Sequence, residues 1–431
     1  MAEGIICRRG GGKIPDSILD VVTATTRTAI TKNDPIEYRR YHAGSFSGAV
    51  AAVSNMLNSN YFRGDCITTA NGTYFALPSV TSPYVYVYKI IGDTLSVISA
   101  GLTNCGSVVR GCNFTPDGTM LVAGTNSTLL FYSRSGDSFT YTGEAAYLAA
   151  FGARFSPDSQ YLVMLHQSER PNVMKRSGNT FVNLGLMPAP GVVTNSEITD
   201  GGFTQDGTLF VGVYGTSGRE QIQIWKRTGD VFAHANTIAT GQQIKSVALS
   251  PDNQYLACGL TYSPFIWIGK RSGDTFVKLP NPATLPPYGA GPMHGIAFSK
   301  DGNWLISSFV PSGGYTNSAL IPYWRSGDTF TFAGTPASPV PTGGCGRMVT
   351  SVDGWLFMIM YEGGTPAVIM MKLGAGDSFI VKMESSLSGK YLANQLYNYI
   401  GMGIALESAA AGASCKVALI KPINQTIAQT L

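Results

Sequence analysis

Two sets of side chains in this 431-residue chain could carry chemistry: aspartates that recur at regular spacing, and four histidines. The recurring aspartates stand in short x-Asp-Gly, x-Asp-Ser or x-Asp-Asn turns at Asp117, Asp158, Asp206, Asp252, Asp301 and Asp353. Carboxylates at equivalent places in a repeat could form a ring that binds calcium or catalyses a reaction. An Asp in such a turn, however, accepts a hydrogen bond from the backbone two residues on. We therefore expect these carboxylates to hold their own turns.

The other candidates for catalysis or metal binding lack the spacing that the chemistry needs. The histidines lie far apart in sequence, without metal-ligand spacing, at His42, His166, His234 and His294. No Gly-x-Ser-x-Gly elbow is present, and the seven cysteines include no CxxC pair. The sequence thus predicts no catalytic residue, no metal site and no cofactor, and we expect a protein that is not an enzyme.

A second turn, close to Arg-Ser-Gly-Asp-x-Phe, follows most of these aspartates. The best copies begin at Arg134, Arg176, Arg227, Arg271 and Arg325, and weaker ones lie at Gly92-Asp93 and Gly376-Asp377. Gly followed by Asp between two apolar runs is typical of a hairpin turn, because Gly adopts positive φ easily. We expect the arginines to brace neighbouring turns through exposed or half-exposed ion pairs, each of which is weak by itself.

Short apolar strands accompany these turns, four to a unit, for example at 247–250, 255–259, 265–268 and 275–279. The first turns recur every 41 to 52 residues, which is the pattern of a β-propeller blade. We predict an all-β fold, a seven-bladed β-propeller with an extended N-terminal arm and a C-terminal closing tail. An eighth blade is the alternative, because 388–392 and 417–420 resemble a first turn and a third strand.

Three parts are expected: an N-terminal docking arm over 1–64, blades over 65–383, and a tail over 384–431 that contributes closing strands. The first 64 residues do not fit the repeat, and their Val, Ile, Thr and Tyr content is too apolar for typical disorder. We expect this arm to become ordered on a partner, with Arg8, Arg9, Ile14 and Pro15 as its candidate docking residues.

Composition narrows the classes of partner. Only 13% of the residues are charged and the net charge is +4, without a large Lys/Arg cluster, which argues against nucleic acid. No apolar run reaches membrane-spanning length, and the first nine residues do not resemble a signal peptide. We expect synthesis in a cytoplasm and no contact with a membrane.

The turn sequences carry two resemblances. The segments 155–162 and 114–121, which read Phe-Ser-Pro-Asp and Phe-Thr-Pro-Asp-Gly followed by Leu, resemble WD40-type propellers, although the Gly-His and Trp-Asp dipeptides of that family are absent. The Arg-Ser-Gly-Asp-x-Phe signature is similar to WD40-like proteins of bacteriophage and prophage structural gene clusters, and 8–15 resembles the start of some phage tail-region proteins. The second resemblance implies a virion structural protein of the capsid or tail, made in the host cytoplasm. Its arm would attach multiple copies to other virion proteins.

Loop aromatic residues support a second hypothesis, a propeller that binds or cleaves carbohydrate such as a host-surface glycan. Tyr288, Tyr315 and Tyr361 are the candidate partner or glycan contacts, because exposed aromatic rings stack on sugars. A glycan array followed by a release assay distinguishes binding from cleavage, and no signal in either would discard the hypothesis. A cellular scaffold is the third possibility that the sequence leaves open.

Overall fold

The computed structural model describes residues 18–26, 35–41, 46–49, 73–78, 82, 84–91, 94–100, 102–146, 150–166, 170–188, 198–214, 220–286, 292–309, 319–332, 345–350, 355–360, 368–373, 378–382, 397–405 and 414–420. Within these ranges the regular structure consists of β-strands. No helix in them has the length and apolar character needed to cross a membrane.

The strands are numbered in chain order. They are β1 (Ile18–Thr26), β2 (Pro35–Tyr41), β3 (Phe46–Ala49), β4 (Tyr74–Pro78), β5 (Val85–Ile91), β6 (Thr94–Ala100), β7 (Val109–Phe114), β8 (Met120–Thr125), β9 (Thr128–Ser135), β10 (Ser138–Ala146), β11 (Ala150–Phe155), β12 (Tyr161–His166), β13 (Asn172–Ser177), β14 (Thr180–Leu186), β15 (Ile198–Phe203), β16 (Leu209–Tyr214), β17 (Gln221–Thr228), β18 (Val231–Ala239), β19 (Ile244–Leu249), β20 (Tyr255–Leu260), β21 (Ile266–Ser272), β22 (Thr275–Lys278), β23 (Gly295–Phe298), β24 (Trp304–Phe309), β25 (Ala319–Ser326), β26 (Thr329–Phe332), β27 (Cys345–Thr350), β28 (Trp355–Met360), β29 (Val368–Leu373), β30 (Ser378–Lys382), β31 (Tyr397–Ala405) and β32 (Ser414–Ile420).

Residues Phe46–Lys372 form one compact unit, in which the described strands build seven separate sheets. We number these blades in chain order: blade 1 is β4–β6, blade 2 is β7–β10, blade 3 is β11–β14, blade 4 is β15–β18, blade 5 is β19–β22, blade 6 is β23–β26, and blade 7 is β27–β29 with β3. The first strands of successive blades from 2 to 7 lie against one another. This arrangement confirms the predicted all-β propeller fold.

The turn between β19 and β20 shows how the repeated Asp shapes a blade. Asp252 Oδ1 accepts hydrogen bonds from Ser250 Oγ at 2.5 Å and from the Gln254 backbone N–H at 3.1 Å. Ser250 Oγ in turn accepts one from the Tyr255 N–H at 2.8 Å. Asn253 has a φ of 62°, in the left-handed region where Asn is several-fold enriched among non-glycine residues. The predicted use of the Asp within its own turn is confirmed.

Glycine is needed in the Arg-Ser-Gly-Asp turns because of the backbone conformation and not because of crowding. Gly136, Gly178, Gly229, Gly273 and Gly327 have φ values between 56° and 62°. A Cβ atom at any of them would meet no heavy atom within 4 Å. Positive φ at this position is what a tight hairpin of two twisted strands requires.

The hydrophobic core lies between neighbouring blades. One cluster joins Val211 and Ile224 of blade 4 to Leu256 and Trp267 of blade 5, and all four are at most 3% exposed. Equivalent clusters join blades 1 and 2, 2 and 3, 3 and 4, and 5 and 6. Each fully buried side chain of this size contributes about 1.5–3 kcal/mol. The blades are therefore held to one another by their broad faces.

The strands near the two ends of the chain are not divided at the boundaries expected at 64/65 and 383/384. β3 is the outer strand of blade 7, whereas β30, expected in the last blade, pairs with β1 and β2. Strands β1, β30, β2, β31 and β32 form a closed sheet in a second unit, Met1–Ser45 with Leu373–Leu431. β32, considered for an eighth blade, pairs with β1 and β31. Apolar periodicity predicts a strand but does not select its partner.

Candidate functional site

The arginines of the repeated turns link each of blades 3 to 6 to the preceding blade. Arg271 in blade 5 places Nη1 2.6 Å from Asp206 Oδ2 in blade 4, and its Nη2 donates to Thr208 Oγ1 at 2.8 Å. The same link occurs in three other places: Arg176–Asp117, Arg227–Asp158 and Arg325–Asp252. The predicted bracing of neighbouring turns is confirmed, with an arginine on one blade and the first-turn Asp of the previous blade as partners.

Both oxygens of these first-turn carboxylates are occupied. While Asp206 Oδ2 binds Arg271, its Oδ1 accepts hydrogen bonds from Thr204 Oγ1 at 2.5 Å and from the Thr208 N–H at 3.0 Å. Burial alone would raise the pKa of Asp206, but the hydrogen bonds from Thr204, Thr208 and Arg271 hold it well below its usual range. In the described part of the chain, no group of three or more His, Cys, Asp or Glu side chains is placed to hold a metal ion.

The aspartates of the second turn make a complementary link. Asp328 in blade 6 accepts hydrogen bonds from Tyr255 Oη at 2.5 Å and Lys270 Nζ at 2.8 Å, both in blade 5. The Arg325 guanidinium lies 4.6 Å from the centre of the Tyr255 ring. Burial, followed by the bond to Asp328, raises the pKa of Tyr255 to about 12. Asp137 and Asp230 bind the preceding blade in the same way, through Tyr74 with Lys89 and Tyr161 with Lys175.

The one second turn with Asn instead of Asp faces a blade without a lysine at this place. Asn179 occupies the Asp position in blade 3. In blade 2, the residue paired with Met120 across β8 and β9 is Ser133, where blades 3 and 5 have the pairs Tyr161–Lys175 and Tyr255–Lys270. The acid is thus present where the previous blade supplies a cation. The Asp of the second turn therefore serves the link between blades.

A cavity of about 870 Å³ lies along the propeller axis, lined by the first strands of blades 2 to 7 and the turns that follow them. Half-buried Phe203, Leu249 and Val349 form apolar parts of its wall. Two arginines, Arg154 and Arg347, come from strand positions deeper than the turns. The lining thus combines apolar surface with guanidinium groups.

Asp200, on the first strand of blade 4, connects four blades and contacts both arginines of the cavity lining. Its Oδ1 lies 2.5 Å from Arg154 Nη2 of blade 3, and its Oδ2 lies 2.6 Å from Arg347 Nη1 of blade 7. The Val247 N–H of blade 5 donates to Oδ2 at 2.8 Å, and the Gly201 N–H donates to Oδ1 at 2.6 Å. The carboxylate therefore accepts four hydrogen bonds, two of them from guanidinium groups.

Burial sets the electrostatics of this cluster. The Asp200 side chain is 0% exposed, which alone would raise its pKa, yet Arg347 and Arg154 lower it below the usual range. Burial and the nearby positive charge of Arg347 lower the pKa of Arg154 to about 9, against the opposing effect of Asp200. The Arg347 side chain stays 14% exposed. Arg154 and Arg347 thus repel one another across the carboxylate of Asp200, which both contact.

Asn113 of blade 2 adds a polar group to the same cavity. It is 1% exposed, and its Nδ2 donates to the Ala153 carbonyl oxygen at 2.8 Å. Arg154 Nη1 donates to that oxygen at 3.3 Å, so the amide and the guanidinium lie side by side. Asn113 Oδ1 is buried and has no hydrogen-bond partner among the described residues. An acceptor in this state usually binds water or a ligand.

The residues singled out for partner contact are not among those that the structure describes. They are Tyr288, Tyr315 and Tyr361 for partner or glycan contact, and Arg8, Arg9, Ile14 and Pro15 for docking.

Sequence reasoning missed Asp200, Arg154 and Arg347, which stand outside the repeated turns. The available signal was a charged residue within an otherwise apolar first strand. His234, on β18, is half-buried with Nε2 2.8 Å from Gln223 Oε1, and burial lowers its pKa.

Comparison with known proteins finds solved structures of similar fold and no match by sequence. No protein-family model and no curated protein matches the chain. A solved β-propeller domain of Cps50 (Swd1) from Myceliophteria thermophila matches with a TM-score of 0.55 and 13% identity, covering 74% of this chain and 99% of the other.

Two further solved structures match over a similar extent. A chain of the mitotic checkpoint complex has a TM-score of 0.57 and 13% identity, covering 86% of this chain and 99% of the other. A putative 6-phosphogluconolactonase from Bacteroides uniformis has a TM-score of 0.53 and 11% identity, covering 67% and 88%. At these identities the likeness concerns the fold alone, and the chain has a WD40-like β-propeller fold.

Proposed function

We propose that this chain is a non-enzymatic platform for protein–protein interaction. The observation that carries the proposal is the use of the recurring polar side chains. In the described blades, the repeated Arg, Asp, Tyr and Lys residues bond across blade boundaries. These repeated side chains thus hold neighbouring blades in fixed positions, as a rigid docking surface requires.

Exposed apolar side chains on the outer strands support this reading. Val182, Leu184 and Leu186 on β14 are 41–55% exposed, and Val231 and Val277 on β18 and β22 are more so. An outer strand also presents backbone groups at a sheet edge, which readily pair with another chain. Such edges offer a partner both apolar contact and hydrogen bonds.

The specific assembly that we propose is a bacteriophage virion, with the N-terminal segment fastening multiple copies to capsid or tail proteins. Support for this assignment comes from the resemblance of the Arg-Ser-Gly-Asp-x-Phe turns and of residues 8–15 to phage structural proteins. Mass spectrometry of purified particles should detect the protein at many copies per particle. Its absence from particles that infect normally would overturn the virion assignment.

Strand pairing determines which truncation tests the arm. β1, β2 and β3 belong to folded sheets, so a deletion of residues 1–60 would remove structure as well as a docking segment. A deletion of residues 1–17 removes Arg8, Arg9, Ile14 and Pro15 and stops before β1. It should abolish incorporation into particles without changing the circular dichroism of the protein, whereas the matched deletion of residues 421–431 should incorporate normally. Normal incorporation of the first variant would contradict the proposed docking role.

A further inference from the structure

We propose that the loop between β20 and β21 binds a neutral carbohydrate, with the ring of Tyr262 stacked on a sugar. This loop lies at the end of blade 5 opposite the two repeated turns, away from the ion pairs that link the blades. The binding activity is separate from the proposed platform for protein–protein interaction, and it stands whether or not the chain is a virion protein.

Tyr262 is the most exposed of the large apolar side chains that the structure describes, with 67% of its surface open to solvent. Other tyrosines of the described blades have structural uses. Tyr255 bonds to an Asp of the next blade, and Tyr323 is fully buried in the core. The ring of Tyr262 belongs to neither kind of contact, so one aromatic surface is left over for a ligand.

Hydrogen bonds hold the Tyr262 loop in one conformation. Gln242, in the connection between β18 and β19, accepts the Tyr262 N–H at its Oε1 at 3.2 Å and donates from Nε2 to the Ser263 carbonyl oxygen at 2.6 Å. The N–H of Phe265, whose side chain is buried, donates to the Tyr262 carbonyl oxygen at 2.7 Å. Because the loop is already ordered, a ligand that binds it has little conformational entropy to overcome.

The two segments that meet through Gln242 carry no charge. Residues 240–243 read Thr-Gly-Gln-Gln, and residues 261–264 read Thr-Tyr-Ser-Pro. The Ser263 side chain is exposed and that of Gln243 is half-buried, so a hydroxyl group and an amide lie close to Tyr262 in the chain and in the loop. Hydroxyls and amides both donate and accept hydrogen bonds. The surface therefore matches a neutral ligand that is rich in hydrogen-bonding groups.

A sugar ring has this chemistry, because it presents C–H groups on its faces and hydroxyl groups around its rim. The face of an aromatic ring is negative and attracts weakly positive C–H groups. A protein partner would instead favour a cluster of buried apolar anchors. The other exposed large apolar residues of the described chain lie on strands and not on this loop: Ile91, Val97, Val182, Leu184, Leu186, Val231 and Val277.

A glycan array tests the class of ligand, with the full chain as the probe. The array carries neutral glucans, mannans and galactans beside sialylated and sulfated glycans. We expect binding to a neutral glycan and none to the sialylated or sulfated ones, because the two segments offer no cation to an acidic group. No binding to any neutral glycan, or a preference for the acidic ones, would overturn the proposal.

Titration calorimetry with the neutral oligosaccharide that binds best connects binding to Tyr262. Y262A removes the ring and should weaken binding about tenfold, whereas Y262F and Y262W keep an aromatic face and should bind within about threefold of the unmodified chain. V277A, which alters an exposed residue on an outer strand, is the matched control and should bind normally. Since the Tyr262 ring supports no other part of the fold, Y262A should keep its unfolding midpoint.

Each outcome of these titrations decides the assignment. Unchanged affinity in Y262A, or equal losses in Y262A and Y262F, would refute stacking on the Tyr262 ring. A Y262A protein that loses glycan binding but still associates with its protein partners would separate this site from the proposed platform. If Y262A keeps its glycan affinity and loses a protein partner instead, Tyr262 is a protein contact and the carbohydrate site is wrong.

Discussion

Asp200 should be among the most sensitive single positions in the propeller, and D200N tests this directly. The substitution keeps the shape of the side chain but removes its charge and turns one acceptor into a donor. Arg154 and Arg347 would then be left in a site where the Asp200 side chain was 0% exposed. Removal of one partner from a buried ion pair typically costs about 3–5 kcal/mol.

For a unit of roughly 330 residues, an unfolding entropy near 2.1 cal/mol/K per residue converts that loss into a drop of about 4–7 °C in the unfolding midpoint. Differential scanning calorimetry measures the midpoint. D328N is the matched control, because Asp328 also accepts hydrogen bonds from another blade but lies at the surface. The unfolding midpoint of D328N should change far less. Equal midpoints for D200N and the unmodified protein would show that the four-blade cluster does not stabilise the ring.

Three further predictions follow from local geometry. G259A should lower the free energy of unfolding by about 1–3 kcal/mol in urea titration, because its Cβ would lie 2.4 Å from a backbone oxygen, whereas G106A has no atom within 4 Å and should be neutral. Hydrogen bonds that outweigh burial hold the pKa of Asp117 at about 2, below its ordinary 3.8. Between these two values the unfolded chain binds more protons than the folded one, so the free energy of unfolding should fall as the pH drops from about 4 to 2. D117N should reduce this dependence of stability on pH. The pKa of Tyr255 is about 12. Its contribution to stability is therefore complete below the ordinary tyrosine pKa of 10 and is lost as the pH rises through 12. Ultraviolet titration should show one late-ionising tyrosine fewer in Y255F than in the unmodified protein.

The repeated turns could be predicted from sequence because their chemistry is local. Positive φ at Gly273 and the bond from the Gln254 N–H to Asp252 depend on residues within one turn. The same holds for the strands on either side, whose apolar residues face the neighbouring blades. The expectation that Arg271 would brace a neighbouring turn needed only the register of the repeat, because equivalent turns of adjacent blades are neighbours in space.

Other features depend on pairings between distant residues, which periodicity does not encode. The sequence of 46–49 does not indicate that this segment completes blade 7. The sequence of 378–382 likewise does not indicate that this segment pairs in the closed sheet and not in blade 7. Arg347 and Asp200 are 147 positions apart and meet only because blades 7 and 4 face the same channel. The Asn at position 179, where other second turns have Asp, is explained only by the neighbouring blade 2, which has Ser133 in place of a lysine.

The arginine of the Arg-Ser-Gly-Asp turn at 271–274 bonds to the preceding blade, and a double-mutant cycle measures this link. R271Q and D206N, singly and together, give the coupling between residues 2.6 Å apart in neighbouring blades, and R271Q with D252N gives it for two residues of the same blade. We predict about 0.2–1 kcal/mol for the first pair, as for half-exposed ion pairs, and none for the second. No coupling in the first pair, or equal coupling in both, would contradict the assignment of these turns as links between blades.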